Sequence, residues 1–144
     1  MDHKIHDYIC FNFYTGWREI DQFYKNELGN DITPQITYIL QICKLDVEMP
    51  IKDISKEMKL NVSAVSNLIA RMEKNRLVIR RHDDVDRRVV RVKLTQKGYD
   101  LLLYLEGKIK SLEEKIAMGI TPEEKATLLK IVSKISNSRA NNQL

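Results

Sequence analysis

LVIRRHDDVDRRVVRVKL, residues 77–94, cannot be drawn as an amphipathic helix. Leu77 to Arg81 is rich in β-forming side chains, and His82 to Arg87 is a polar tip. From Val89 to Leu94 the chain alternates, with Val90, Val92 and Leu94 on one face and Val89, Arg91 and Lys93 on the other. A period of two marks a half-buried strand, so the stretch predicts a β-hairpin with one apolar and one basic face. Immediately upstream, Ile51, Ile54 and Met58 recur at helical spacing as far as Lys59. Leu60-Asn61-Val62 is a tight turn, Asn61 is a cap residue, and Val65, Leu68, Ile69 and Met72 form the buried side of another helix. Two short helices joined by such a turn are a helix-turn-helix, and a hairpin that follows one is a wing.

The charge distribution singles out the same region. Between Arg71 and Lys93 there are nine basic side chains against four acidic ones, a local balance of +5 in a chain whose total is +4, so the remainder sums to −1. A basic stripe confined to one segment is the electrostatic footprint of a polyanion site, most often nucleic acid. A merely solvated charged face is the plainer alternative.

Outside this region the pattern is helical. Seven of the ten aromatic residues, Tyr8, Phe11, Phe13, Tyr14, Trp17, Phe23 and Tyr24, fall between Ile5 and Glu27. A helix with apolar side chains on more than one face needs burial on more than one face, which a small domain obtains mainly from a partner chain. Leu28-Gly29-Asn30-Asp31 ends that helix, and Thr33-Pro34 opens a second one expected to reach about Leu45. After the hairpin, Thr95 caps a long helix carrying Leu101, Leu102, Leu105, Ile109, Leu112 and Ile116. Thr121-Pro122-Glu123-Glu124 is a capping box for a final helix with Leu128, Leu129, Val132 and Ile135, and the tail from Ser136 onward is expected to fray.

At 144 residues, 43% hydrophobic and 31% charged, the chain suits one folded domain, and collagen-like or low-complexity classes are excluded. No apolar run approaches the roughly 18 residues of a membrane span, and no signal-like core follows Met1, so a soluble cytoplasmic protein with no membrane partner is expected. Two cysteines, Cys10 and Cys43, make neither a disulfide scaffold nor a Cys-x-x-Cys knuckle. Neither a Gly-rich phosphate loop nor a nucleophile motif with a positioned histidine is present, so the chain is not expected to be an enzyme, and no cofactor is expected.

Asp86-Arg87-Arg88, then Leu94-Thr95 and Gly98, preceded by Arg71-Met72-Glu73-Lys74-Asn75-Arg76-Leu77-Val78, follow the order and spacing of one family along nearly the whole chain. On these residues it resembles the MarR family of bacterial winged helix-turn-helix transcription regulators. The resemblance implies a mainly α fold with a small β-hairpin wing (α+β) and an intertwined helical dimerisation region. One MarR-type domain would span 1–144, with dimerisation helices in 5–46 and 95–137 and the winged helix-turn-helix in 50–94. It further implies a homodimer on double-stranded DNA, usually acting as a repressor.

A recognition helix in the major groove reaches base edges with short polar side chains near its N-terminus and phosphates with basic ones further along. Ser63, Ala64, Ser66 and Asn67 are the candidates for base edges, although Ser63 is equally suited to capping, and Arg71 and Lys74 for phosphates. In the wing, Arg88 matches the family arginine that enters the minor groove and Asp86 the acidic residue that orients it, with stabilisation of the turn as the alternative role for Asp86. Arg87, Arg81 and Arg91 are candidates for general phosphate attraction. Two such units on a dyad would read a pseudo-palindrome with half-sites about one helical turn, roughly 34 Å, apart.

Cys10-Phe11-Asn12-Phe13-Tyr14, followed by Tyr24, resembles the thiol-sensing branch of the family, the OhrR-type regulators. That resemblance implies that Cys10 is oxidised and that tyrosines of the other subunit hydrogen-bond it. Cys10 and Tyr24 lie fourteen residues apart on one helical face, about 21 Å along a helix, so they meet only if two first helices cross antiparallel. Thr33 stands where that branch carries a second tyrosine. A small buried hydrophobe is the alternative role for Cys10, and inert core the expected one for Cys43. His3, His6 and Cys10 share a face at a spacing that could begin a metal site, but no fourth ligand accompanies them, and no metal is assigned. Control by a small aromatic effector or a metal, and nonspecific architectural DNA binding, are the remaining alternatives.

Overall fold

The computed structural model describes residues 4–142. By its internal contacts the chain divides into two units, Met1–Leu112 and Glu113–Leu144. In the first, a single 3-10 turn, Ile5–Asp7, precedes helix α1, Ile9–Leu28. The aromatic helix expected from Ile5 therefore begins only after Tyr8, whose backbone is extended (φ −82°, ψ 130°). Gly29 takes φ +84° at its end, a conformation with no steric penalty for a residue lacking Cβ.

Helix α2, Pro34–Ile42, opens where Thr33 accepts the Ile36 amide, and Pro34 occupies the first helical position. It stops three residues short of Leu45, because Cys43 leaves the helical region at ψ 153°. Helices α3, Ile51–Met58, and α4, Val62–Lys74, form the helix-turn-helix. Lys59 takes the turn between them at φ +53°. Ile39, Leu40, Ile54, Val65, Ile69, Met72, Val92 and Leu94 pack into one core, so the helical stripes and the apolar face of the hairpin bury one another.

The wing is a three-stranded antiparallel sheet and not a simple hairpin. Strands β2, Val78–His82, and β3, Val90–Leu94, pair as expected, and β1, Met49–Pro50, adds to the free side of β3 through Met49↔Val92 and Pro50↔Arg91. Proline at the outer strand is tolerated because an edge strand does not need every donor.

Helix α4 ends in a Schellman motif. The Leu77 amide donates to the Met72 carbonyl at 2.9 Å and the Arg76 amide to the Glu73 carbonyl at 2.9 Å, with Arg76 left-handed at φ +60°. The start of helix α5, Gln96–Ile116, is pressed against that turn. Thr95 donates its amide to the Leu77 carbonyl at 3.0 Å and its hydroxyl to the Arg76 carbonyl at 2.5 Å, while its oxygen accepts the Gly98 amide at 3.0 Å. A Cβ at Gly98 would lie 2.0 Å from the Leu77 oxygen. The Leu-Thr-x-x-Gly sequence is thus the hinge by which the wing strands and α5 are fixed to α4.

In the second unit, helix α6 runs Pro122–Asn141 behind a complete capping box, with Thr121 accepting the Glu124 amide at 3.1 Å and Glu124 accepting the Thr121 amide at 3.0 Å. Among the described residues the fraying expected from Ser136 is not seen, since the helix continues through Asn141. No helix among the described residues is long and apolar enough to cross a membrane.

Candidate nucleic-acid interface

The N-terminus of α4 is capped by Asn61, whose side-chain oxygen accepts the Ala64 amide at 2.8 Å. That bond corrects one reading of Ser63: it does not cap the helix and stands exposed beside the cap. Asn67, Arg71 and Lys74 are exposed at positions that follow Ser63 by helical steps of three and four, and so continue its face. Ala64 and Ser66 are half-buried on its flanks. Val65, Ile69 and Met72 hold the opposite side in the core, which fixes the rotation of the helix.

The wing tip is built around Asp83. One carboxylate oxygen accepts the amides of Val85 (3.1 Å) and Asp86 (3.0 Å), and the other accepts Arg91 Nε at 2.6 Å. The Asp86 amide, then the Arg91 guanidinium and the Val85 amide, hold the Asp83 carboxyl down at about 2. The loop is closed by Val89 donating to the Asp86 carbonyl at 2.9 Å, and His82 Nδ1 lies 2.7 Å from the Arg87 carbonyl.

From this tip Arg88 projects with its side chain 90% exposed, yet it is not loose. Asp86 Oδ1 accepts its amide (3.1 Å) and its Nε (3.0 Å), and Oδ2 accepts Nη2 at 3.2 Å. The Arg88 guanidinium and amide hold the Asp86 carboxyl below the usual carboxylate range. The Asp86 carboxylate is thus bonded to Arg88, while its backbone carbonyl accepts within the turn. Arg87 is exposed and makes no ion pair among the described residues.

Other basic residues of the wing are engaged by acids. Glu73 on α4 binds Arg80 on β2 three times, at its amide (3.2 Å), Nε (3.2 Å) and Nη2 (3.0 Å). Glu48, just before β1, grips Arg81 with both oxygens at 2.6 Å. Arg91 is drawn into the wing by Asp83 and is only part-exposed. Glu48, Glu73 and Asp83 carry this arrangement and do not stand out in the sequence. For Glu48 the partner lies 33 residues away, and nothing local marks it.

At the N-terminus, Cys10 is exposed on its own chain and does not fill the core, whereas Cys43 is buried and burial pushes its thiol up to about 11. Tyr24, 14 residues from Cys10, is only 7% exposed and is packed within its own chain. Thr33 spends its hydroxyl oxygen as the cap of α2. His3 lies outside the described residues, so the spacing of His3, His6 and Cys10 has no structural placement.

Residues 32–90, which hold α2, the helix-turn-helix and the wing tip, match the MarR family. The HTH-type transcriptional regulator MgrA of Staphylococcus aureus is 30% identical over 98 residues, 67% of each chain. The PcaV transcriptional regulator of Streptomyces coelicolor, solved in complex with its natural ligand, superposes with a TM-score of 0.86 over 96% of this chain and 99% of that one, at 12% identity. The S. aureus MepR–DNA complex gives a TM-score of 0.77 at 22% identity, over 91% and 98%.

Proposed function

This chain belongs to the MarR family of winged-helix transcriptional regulators, and from that premise we propose that it acts in the cytoplasm as a homodimeric repressor on a pseudo-palindromic operator. It is a DNA-binding regulator and not an enzyme. In the proposed complex each α4 lies in a major groove, with Ser63, Ala64, Ser66 and Asn67 at base edges and Arg71 and Lys74 on phosphates. Each wing then reaches the adjacent minor groove with Arg88. The Asp86–Arg88 pair is the observation that carries this reading. A carboxylate beside a polyanion is unfavourable unless it does something for the cation it holds, and here it pre-orders a guanidinium that is otherwise 90% exposed. Holding that side chain before binding reduces the entropy lost on complex formation, and a narrow minor groove concentrates the negative potential that attracts it.

Pairing of two chains is supported by apolar side chains left at the surface. On α1 these include Ile9, Tyr14 and Trp17, and on α6 Leu128, Leu129 and Ile135. Exposed apolar surface of this kind marks association sites.

Binding to the chain's own promoter region, compared with a random duplex at the same salt, tests the proposal. A specific regulator favours its site by roughly 10³-fold or more. Equal affinity for both duplexes, or a protein that stays monomeric at micromolar concentration, would reject it in favour of nonspecific binding.

The exposure of Cys10 favours release by oxidation, as in the thiol-sensing branch that the N-terminal sequence resembles. Peroxide treatment should then form a sulfenic acid or mixed disulfide at Cys10 and free the DNA. Release that persists in Cys10→Ser would end this reading and leave a small-molecule effector as the inducer.

A further inference from the structure

Four arginines in the wing already have acidic partners: Arg80 with Glu73, Arg81 with Glu48, Arg88 with Asp86 and Arg91 with Asp83. At the C-terminal end of α4 the pattern reverses. Lys74, Arg76 and Lys97 are all exposed there, and none makes an ion pair among the described residues. Lys97 Nζ donates to the Asn75 carbonyl at 3.0 Å, and the Thr95 hydroxyl holds the Arg76 carbonyl, so residue 97 is brought to the end of α4, where residues 74 and 76 lie.

Arg76 is the unexpected member. The Schellman bonds of Arg76 and Leu77 require a left-handed residue at position 76, and φ is +60°. Glycine takes that conformation without a Cβ penalty, whereas any other side chain is disfavoured there. Cations near a helix C-terminus do complement its dipole, but Lys97 already binds a last-turn carbonyl, and the Arg76 side chain bonds to none among the described residues. A strained residue that places an uncommitted guanidinium at a surface corner invites a functional account.

We propose that Arg76, with Lys74 and Lys97, forms a second anion-binding corner that takes a backbone phosphate of the duplex flanking the bases under α4. This rests on the DNA-binding reading above. Helix α4 has 13 residues, about 20 Å, whereas the major groove is about 12 Å wide and 8.5 Å deep. A helix of that length, entering with its N-terminus at the bases, extends past the phosphates that wall the groove, which puts its C-terminal half within reach of them. Asn67, Arg71 and Lys74 lead along one exposed face toward that end. The contact would be indifferent to sequence and would add to the salt dependence of binding.

The test compares wild type, Arg76→Gly, Arg76→Asn, Arg76→Lys and Arg88→Ala on the chain's own promoter duplex and on a random duplex, at several salt concentrations, with Tm measured for each. Glycine and asparagine both accept the left-handed conformation, so Tm should hold or rise. Both variants should bind the two duplexes more weakly by a similar factor. The slope of log affinity against log salt should fall by about 0.9 for each copy of Arg76 on the duplex. Arg76→Lys should keep the wild-type slope. Unchanged affinity and slope in the glycine and asparagine variants, with Arg88→Ala still weakening promoter binding, would overturn the proposal and leave these cations as partners of the helix dipole. Promoter affinity unchanged in Arg88→Ala would count against the minor-groove role instead, since the slopes of the Arg76 variants are read independently of it.

Discussion

Arg81 and Arg91 stand directly opposite one another in the β2–β3 register, two guanidinium groups on the same face of the sheet. Like charges in that relationship repel. The wing tolerates the pair because Glu48 grips Arg81 from the residue before β1 and Asp83 grips Arg91 from the tip. The +5 counted along residues 71–93 is therefore not all offered to solvent. Its uncommitted part lies on Arg71, Lys74, Arg76, Arg87 and Lys93, none of which makes an ion pair among the described residues.

Asp83 should make the order of the wing tip depend on acid. Its carboxyl titrates at about 2 in the fold against an ordinary 3.8. A depressed pKa contributes stability that is complete above the unfolded value and is lost as pH falls through the folded one. Protection of the Val85 and Asp86 amides should then be constant from pH 7 to about 4 and decline between about 4 and 2. Asp83→Asn should show reduced protection already at pH 7, because a neutral amide leaves Arg91 facing Arg81 without its counter-charge. Amide hydrogen exchange measures both; equal protection in the variant at pH 7 would contradict this account.

Gly98→Ala should be among the most damaging substitutions of a small residue in the chain. The added Cβ would meet the Leu77 carbonyl oxygen at 2.0 Å, and that oxygen already accepts the Thr95 amide at 3.0 Å. Backbone on both sides must shift, and overpacking of this kind costs about 1–3 kcal/mol or more. Urea unfolding would reveal it as a lower midpoint with an unchanged m-value.

The two cysteines should differ sharply in reactivity. Cys43 is buried and its thiol is pushed up to about 11, so little thiolate exists near neutrality, while Cys10 is exposed. Iodoacetamide at pH 8 should label Cys10 long before Cys43 in the folded protein, and both at similar rates in denaturant. Mass spectrometry of timed aliquots distinguishes them. Equal labelling of the folded protein would mean that α2 opens readily or that Cys10 is shielded by a partner chain.

The helix-turn-helix and hairpin were legible because their apolar residues recur at periods near 3.6 and 2, and each pattern closes within a dozen residues. Asp86 and Arg88 were legible by a different route, because they match the wing of the family that the sequence resembles. Strand β1 was not, since two residues with a proline carry no period and pair only with Val92 and Arg91, far along the chain. The left-handed Arg76 was hidden because the usual sign of that conformation is glycine. The last turns of α6 were missed because Ser-Asn-Ser-Arg-Ala-Asn is polar and suggests coil, whereas Ser138 bonds its hydroxyl back to the Lys134 carbonyl at 2.9 Å and the helix continues.

Asp86 and Arg88 should prove inseparable in DNA binding. Arg88→Ala is expected to cost about 1–3 kcal/mol of operator affinity. Asp86→Ala removes a negative charge from the DNA-facing surface, which by simple attraction would strengthen binding. It also releases three hydrogen bonds that hold Arg88. If orientation dominates, affinity falls, by less than in Arg88→Ala because the guanidinium is still present. The sign of the Asp86 effect should then reverse in the Arg88→Ala background, where no guanidinium is left to orient and only the relief of repulsion survives. Titrations of the four proteins of this double-mutant cycle at one salt concentration measure it. An Asp86→Ala effect of the same size and sign in both backgrounds would show that the carboxylate acts on DNA by itself and not through Arg88.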